Sequence, residues 1–250
     1  MDHRGHGHGL RSPKPFCLED CADDVVALAD QLGVGSFIPV GYSMGGPIAQ
    51  LIWHRHPDRV DGLVLCATSR DFRGRWHERV QFAGLALMVT GLRLAPHPAI
   101  EQLAEQLPEE LLDAPNRRWA LEELRRHDLR TVLEAAESLG RFSSRDWIGS
   151  IDVPVSVIVT SRDRLVPPRR QVKLASSIPT AVIHVVDGTH LAAGTDPDGF
   201  AESLVDACLL VSRRAARHPV VRRRRRRAAR SRIDRWIASA GERWRQRRSA

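Results

Sequence analysis

Apolar positions follow two different spacings along the first part of the chain. Residues 18–32 carry apolar side chains at helical spacing, and Gly33 follows as a stop signal. Residues 36–40 form a short apolar run that predicts a buried strand, residues 47–56 predict a helix, and residues 60–67 predict a second buried strand. This alternation of helix and strand is typical of a parallel sheet with crossover helices.

The middle of the chain has a different pattern. Residues 70–147 hold several helical patterns and no convincing strand, and the clearest of them spans residues 121–140. After this block, residues 155–160 and 181–186 predict strands, and residues 200–211 predict a closing helix. The sequence therefore predicts an α/β fold with a mostly parallel sheet and an inserted helical cap.

These patterns divide the 250-residue chain into four parts. Residues 1–69 form the first part of the sheet core, residues 70–147 the helical cap, and residues 148–212 the second part of the core. Residues 213–250 form an arginine-rich tail. A chain of this length can bury a sizeable core, so one sheet domain with an insertion is expected.

Charge separates the tail from the rest of the chain. Residues 213–250 contain sixteen arginines and two acidic residues, so the tail carries +14. Because the whole chain carries +8, the other 212 residues carry −6. A mildly acidic body thus precedes a strongly basic tail, and the net charge of the whole chain describes neither.

The tail fits three interpretations. Six consecutive arginines at residues 222–227 are compatible with a solvated, disordered segment, with a segment on an anionic membrane surface, or with one that holds nucleic-acid phosphates. An apolar helical face follows the arginines and favours a membrane over nucleic acid, because tryptophans suit the lipid interface. The residues of that face are Ile233, Trp236, Ile237, Ala240 and Trp244.

The strongest chemical signal is Gly-Tyr-Ser-Met-Gly at residues 41–45, a G-x-S-x-G pattern between a predicted strand and a predicted helix. Such a sharp turn favours glycine on both sides of the serine, where a Cβ atom collides with the chain. It lifts the hydroxyl of Ser43 to the carboxyl edge of the sheet and directs the backbone N–H of Met44 toward a developing oxyanion. A phosphate loop and a dinucleotide fingerprint are excluded by their spacing.

A serine hydroxyl becomes a nucleophile only beside a base, which in turn needs an orienting acid. His190 lies four residues beyond the predicted strand 181–186, and Asp163 lies three residues beyond the strand that ends at Thr160. Parallel strands end at one edge of a sheet, so both side chains are expected near Ser43. Asp71, which follows the strand at residues 60–67, is the alternative acid.

The sequence predicts neither a metal nor a cofactor. Its four cysteines are Cys17, Cys21, Cys66 and Cys208, and their spacing fits no metal site, so they are expected to be reduced structural thiols. No apolar run approaches the roughly 20 residues of a membrane-spanning helix, and residues 1–9 lack a signal-peptide pattern. A cytoplasmic protein, peripheral at a membrane if its tail binds there, is therefore expected.

These segments resemble the α/β-hydrolase family of serine esterases and lipases over residues 2–212. The resemblance rests on residues 41–46, on the Asp163 segment with its Leu-Val-Pro, and on the late His190. Residues 2–7, Asp-His-Arg-Gly-His-Gly, are similar to the D-x-R-G-x-G loop of that family. In the family about four strands precede this loop, and a loop among them gives a second oxyanion donor.

The resemblance implies a serine hydrolase that cleaves a carboxylic ester or similar acyl substrate through an acyl-serine, without a cofactor. Ester hydrolases, lactonases, perhydrolases and acyltransferases share this set of residues, so the substrate stays open, as does the oligomeric state. Apolar residues between positions 82 and 92 either pack the cap on the core or line an acyl pocket.

The N-terminal strands of the family have no counterpart in the sequence, so we expect either a true start upstream of Met1 or a degraded relative. The second case suits a different class, a non-catalytic hydrolase-like protein that binds a membrane or a partner through its tail.

Overall fold

The computed structural model describes residues 2–72 and 129–225. Four strands of these residues form one parallel sheet in the order β1-β2-β3-β4. The strands are β1 (Val40–Tyr42), β2 (Leu63–Cys66), β3 (Val155–Thr160) and β4 (Ala181–Val186). The helices are α1 (Leu18–Gln31), α2 (Gly45–Arg55), α3 (Leu129–Arg141), α4 (Pro168–Ser176), α5 (Ala192–Thr195) and α6 (Pro197–Arg217), with short 3₁₀ turns at Pro57–Arg59 and Ile148–Ser150.

Helices cover both faces of the sheet, which explains why every residue of β2 and β3 is buried. Val157 of β3 packs in the core that holds Ile52 of α2 and Leu174 of α4. Its neighbour Ile158 points the other way, into the core formed with Val211 of α6. Successive strand residues therefore enter opposite cores, and the predicted α/β fold with a parallel sheet is confirmed.

The described strands test the predictions from sequence. The structure confirms strands at residues 155–160 and 181–186, but the strand predicted at residues 36–40 is wrong, since the regular pairing covers Val40–Tyr42 instead. Phe37 forms only an isolated bridge with Val60. Pro39 has no N–H to donate to the ladder, so continuous pairing begins after it.

Two other predicted limits shift by a few residues. Helix α2 begins at Gly45, two residues before the predicted start, because the turn after Ser43 leads straight into it. Strand β2 spans Leu63–Cys66 and is shorter than the predicted run of residues 60–67. Both differences leave the order of elements unchanged.

Most of the predicted cap, residues 73–128, lies outside the described residues, as does the apolar stretch between positions 82 and 92. The two ends of the cap segment are joined to each other. Asp71 forms an antiparallel bridge with Ser143, and its carboxylate accepts two hydrogen bonds from Arg145, each 2.9 Å long. The division into core and cap otherwise stays a prediction.

The first part of the arginine-rich tail packs against the body. Helix α6 runs through Arg217, beyond the predicted end at residue 211, and residues 219–225 are helical. Val221 is fully buried, Arg224 bonds Asp152 at 3.0 Å, and Arg225 bonds Asp61 at 2.6 Å. Residues 226–250 lie outside the described part of the chain.

Both acidic partners precede strands, since Asp61 comes before β2 and Asp152 before β3. The docked arginines therefore lie at the amino edge of the sheet. Among the described helices, none combines the length and the apolar character needed to cross a membrane.

Candidate active site

The turn between β1 and α2 holds Ser43 in a strained conformation. Its φ angle is 51°, in the left-handed region that a non-glycine residue adopts at a cost of about 1–3 kcal/mol. Three hydrogen bonds fix the residue there: its N–H donates to the carbonyl of Cys66 at 2.9 Å, and its carbonyl accepts from Gly46 N–H at 2.9 Å and from the Thr68 hydroxyl at 2.8 Å. The surrounding contacts thus hold Ser43 in this turn at the carboxyl end of β1.

Glycine is required at two positions of this turn. A Cβ atom on Gly41 overlaps the carbonyl of Gly45, and a Cβ atom on Gly46 overlaps the side chain of Thr68. A Cβ atom on Gly45 meets no described atom within 4 Å. The prediction that crowding demands glycine on both sides of the serine thus holds at Gly41 and is wrong at Gly45, because the helix start is crowded one residue later.

The structure brings together the three predicted side chains Ser43, His190 and Asp163. His190 Nε2 lies 2.9 Å from Ser43 Oγ, and His190 Nδ1 lies 2.7 Å from Asp163 Oδ2. Because an ionised carboxylate only accepts, His190 carries its proton on Nδ1 and Nε2 is left to accept the serine proton. Ser43 follows β1, His190 follows β4 and Asp163 follows β3. The carboxyl ends of these parallel strands lie at one edge of the sheet, which brings the three side chains together.

The carboxylate of Asp163 is fully enclosed, with no exposed side-chain surface. Oδ1 accepts from the backbone N–H groups of Leu165 at 2.9 Å and Val166 at 2.8 Å, and Oδ2 accepts from the Thr160 hydroxyl at 2.9 Å. Burial alone raises the pKa of Asp163, but the hydrogen bonds from His190, Val166 and Thr160 outweigh it and lower that pKa below its ordinary value. Asp163 is therefore ionised at neutral pH.

Tyr42, the single tyrosine of the chain, fixes the backbone of the histidine loop. Its hydroxyl donates to the carbonyl of His190, and its ring meets that of Phe200 edge to face at 5.4 Å. Burial raises the pKa of Tyr42 and keeps the hydroxyl protonated as a donor. Sequence reasoning used the glycines and the serine of residues 41–45 and missed the tyrosine between them.

Met44, the predicted oxyanion donor, occupies the N-cap position of α2 with helical dihedral angles. No hydrogen bond joins its backbone N–H to another residue of the described chain. A free N–H at a helix start, beside the serine hydroxyl, suits an oxyanion, and the helix dipole adds to it.

Asp71, the alternative acid, lies away from His190. Its carboxylate is paired with Arg145 at the junction of the two cap ends, and it has no described contact with the histidine. The strand that precedes Asp71 ends at the same sheet edge, but Asp71 itself pairs with the segment after α3, through Ser143 and Arg145. The structure thus places Asp163, and not Asp71, against His190.

Other potential sites lie apart from these residues. The four cysteines are free, and burial raises the pKa of Cys21 and of Cys66 to about 12. In residues 2–72 and 129–225, no group of three or more His, Cys, Asp or Glu side chains is placed to hold a metal ion. A cavity of about 650 Å³ lies at the far end of α2, beside His54 and Trp147.

Comparison with known proteins agrees with this architecture. The sequence profile of the alpha/beta hydrolase fold matches residues 1–197. The chain belongs to the α/β-hydrolase family. The resemblance drawn from residues 41–46, Asp163 and His190 is thereby confirmed at the level of the family.

Relatives of this α/β hydrolase are hydrolases by name. RutD of Agrobacterium fabrum (strain C58), provisionally named a carbamate hydrolase, is 28% identical over 219 residues, which cover 83% of this chain and 81% of RutD. A pimeloyl-[acyl-carrier protein] methyl ester esterase of Chromobacterium violaceum is 31% identical over 195 residues, which cover 74% of this chain and 72% of the esterase. The α/β hydrolase described here is thus a hydrolytic enzyme.

A solved structure shows the same fold. The enol-lactonase of Burkholderia xenovorans LB400 superposes with a TM-score of 0.67 at 23% identity, over 82% of this chain and 78% of the lactonase. At that identity the likeness concerns the fold alone.

Proposed function

We propose that this α/β hydrolase cleaves a carboxylic ester, or a similar acyl substrate, through an acyl-serine intermediate at Ser43. The observation that carries this proposal is the unbroken hydrogen-bonded line from Ser43 Oγ through His190 to the buried Asp163. The methyl ester esterase among the relatives supports an ester as the substrate class. The same line of contacts favours an enzyme over a non-catalytic protein that only binds through its tail.

The first half of the proposed reaction forms the acyl-serine. His190 Nε2 takes the proton of Ser43 as Oγ attacks the acyl carbon, and the carbonyl π bond becomes an oxyanion that Met44 N–H receives. The imidazolium is stabilised by the ionised Asp163, which itself keeps its negative charge. When the tetrahedral species collapses, the bond to the leaving oxygen breaks, and His190 returns its proton to the departing alcohol.

The second half repeats these steps with water. His190 removes a proton from the water molecule that attacks the acyl-serine, and the same N–H of Met44 receives the oxyanion. Collapse breaks the bond between the acyl carbon and Ser43 Oγ, and His190 returns the proton to the serine. A carboxylic acid leaves and the enzyme is restored, with no metal or redox step required.

The substrate class can be tested with matched acyl compounds. We expect the purified chain to hydrolyse p-nitrophenyl esters faster than the corresponding anilides and carbamates. Donation from the nitrogen lone pair makes the carbonyl carbon of an anilide or a carbamate less electrophilic than that of an ester, and the anilide also has a poorer leaving group. Initial rates on the three series, with Ser43→Ala as the control, measure this preference. Ester turnover that is the same in both proteins contradicts the proposal, and a preference for carbamates moves the substrate class to that of the other named relative.

We also propose that the tail binds an anionic membrane surface. Arg224 and Arg225 hold the start of the six-arginine run at the amino edge of the sheet, opposite the edge that carries Ser43. A surface bound at the amino edge therefore leaves the site accessible. Arg224 pairs with Asp152 and Arg225 with Asp61, so the exposed Arg222 and Arg223 and the arginines beyond residue 225 are the ones available to lipid phosphates.

Deletion of residues 226–250 is expected to weaken adsorption to vesicles that contain phosphatidylserine and to leave ester hydrolysis unchanged. Each basic residue near such a surface contributes about 1 kcal/mol, and the cut spares the buried Val221 and both docked arginines. Co-sedimentation at low and high salt measures the loss, with phosphatidylcholine vesicles as the control. Salt weakens the charge attraction, while Trp236 and Trp244 leave a salt-resistant part.

Equal sedimentation of the intact and the shortened chain contradicts a membrane role for the tail. Tighter binding of the intact chain to duplex DNA than to the vesicles favours the nucleic-acid alternative instead.

A further inference from the structure

Gln171 is a fully buried glutamine close to the proposed acid. It lies in α4 on the same face as Leu174 and Ala175, which are also buried. Glutamine is seldom enclosed to this extent, and a buried amide that lacks partners is costly. The Gln171 amide is therefore expected to have hydrogen-bond partners inside the protein.

Every polar atom of the Gln171 amide is used. Oε1 accepts from the backbone N–H of Thr160 at 3.1 Å. Nε2 lies 2.7 Å from the carbonyl of Val166, 2.9 Å from the hydroxyl of Thr160 and 3.2 Å from Asp163 Oδ2. Because the amide has two hydrogens, the two shortest of these contacts, to Val166 and Thr160, take them.

The direction of the bonds follows from the donors available. Asp163 is a carboxylate and can only accept, so the single hydrogen of the Thr160 hydroxyl goes to Oδ2, 2.9 Å away. The Thr160 oxygen is then free to accept from Gln171. A chain of donors runs from Gln171 through Thr160 to the oxygen that receives His190 Nδ1–H, and each bond polarises the next.

The other carboxylate oxygen depends on the same glutamine. Gln171 holds the carbonyl of Val166, and the N–H of Val166 donates to Asp163 Oδ1 at 2.8 Å. The Gln171 amide thus holds both Thr160 and Val166, which donate hydrogen bonds to different oxygens of Asp163.

We propose that Gln171 is a positioning residue that fixes the orientation and the charge of Asp163, and through it the tautomer and ring orientation of His190. The proposal rests on the proposed function of Ser43, His190 and Asp163. Gln171 touches none of the reacting atoms, so its effect is expected in the rate of the chemical step and not in substrate binding.

A matched pair of buried glutamines tests this role. Gln50 is also fully buried, and its amide donates to the carbonyl of Ser69 at 3.1 Å and accepts from the hydroxyl of Ser144 at 2.7 Å, away from Asp163. We expect Gln171→Met to lower kcat about 10- to 100-fold, the scale found when the hydrogen-bond partner of a metal-binding histidine or carboxylate is removed, with KM nearly unchanged. Gln50→Met is expected to keep kcat within about twofold while its thermal stability also falls.

The low-field proton resonance of His190 Nδ1–H gives a second measurement, which needs no turnover. We expect it to shift or broaden in Gln171→Met and to stay in place in Gln50→Met, since only the first change loosens the carboxylate that receives this proton. A resonance and a kcat that match the wild type in folded Gln171→Met overturn the proposal, as does an equal loss of kcat in the two variants.

A conservative change gives a signature in the pH profile. In Gln171→Glu the introduced carboxyl, while protonated, keeps an acceptor for Thr160 N–H and one donor, but once ionised it repels Asp163 and donates nothing. Ionisation of the introduced carboxyl is expected to make the variant lose activity at higher pH relative to the wild type, which has no ionisable group at this position. Circular dichroism at each pH monitors folding, and a variant profile of wild-type shape overturns the proposal.

Failure of this inference can be told from failure of the proposed function. If Asp163→Asn lowers kcat strongly and Gln171→Met does not, only the role of Gln171 is wrong. If Asp163→Asn leaves kcat unchanged, the assignment of the acid fails and the role of Gln171 fails with it.

Discussion

Replacement of Ser43 by alanine is expected to lower kcat for ester hydrolysis by about 10⁶-fold, the scale found when the nucleophile of a serine hydrolase is removed. Without Oγ no acyl-serine forms, and His190 and Asp163 have no proton to move. The fold is expected to persist, because alanine keeps the Cβ atom and the backbone of the strained turn is held by Cys66, Gly46 and Thr68. Steady-state rates on a p-nitrophenyl ester measure the loss.

A fluorophosphonate probe separates chemical from structural causes of that loss. The probe requires an activated hydroxyl, so it is expected to label the wild-type chain and not Ser43→Ala. Ser161 follows β3 at the same edge of the sheet and bonds Asp187, so Ser161→Ala serves as a control that keeps the label. Labelling that persists in Ser43→Ala contradicts the assignment of the nucleophile.

Replacement of Asp163 by asparagine is expected to lower kcat by about 10⁴-fold, the loss measured when the acid of a serine protease is changed in this way. Asparagine can present its NH₂ to His190, which then carries its proton on Nε2 and no longer accepts from Ser43. Asp71→Asn is the matched comparison, because Asp71 pairs with Arg145 and not with the base. A larger loss of kcat in Asp71→Asn than in Asp163→Asn shows that the acid follows the earlier strand.

The pH dependence of stability gives a further check on Asp163. Its pKa is lowered in the folded protein, so the ionised form adds stability above the ordinary aspartate value of about 3.9. That stability is lost as the pH falls through the lower pKa of the folded state. The difference in free energy of unfolding between the wild type and Asp163→Asn is therefore expected to shrink toward acidic pH, which chemical denaturation at several pH values can measure.

The limits of two described strands could be predicted from the sequence. Residues 155–160 are buried throughout and residues 181–186 only partly, yet both are mostly apolar runs that helical patterns separate from the rest of the chain. The first strand begins later along the chain than predicted, because the apolar run includes Pro39. This residue is buried but has no N–H to donate to a neighbouring strand. Apolar pattern reports burial, whereas strand limits also depend on which backbone groups can bond.

The site could be predicted only in part. Ser43 lies in the G-x-S-x-G motif. Asp163 and His190 lie just beyond the ends of predicted strands, so their order along the chain predicts that all three residues lie at one edge of the sheet. Tyr42 and Gln171 act through hydrogen bonds to residues far along the chain or on another element, and no spacing encodes those partners. The sequence feature that could have indicated a role for Gln171 is a glutamine on the buried face of an amphipathic helix.

The start of the tail was also beyond prediction from sequence. Read alone, its arginines fit a solvated segment, a segment on an anionic membrane or one that holds nucleic-acid phosphates. The acids that receive two of them, Asp61 and Asp152, lie in other parts of the chain. Val221, which follows Val220 and directly precedes the six arginines, is fully buried. Tertiary partners, and not local composition, determine that this segment packs on the body.

Capture of the acyl-enzyme tests the central claim most directly. The intact chain is mixed with excess p-nitrophenyl acetate, quenched in acid during turnover, and digested for mass spectrometry, while the release of p-nitrophenol is followed in parallel. The account predicts an acetyl group on Ser43 and a burst of p-nitrophenol that approaches one equivalent of enzyme. Turnover without any adduct, or an adduct that forms at the same rate on another residue in Ser43→Ala, contradicts it.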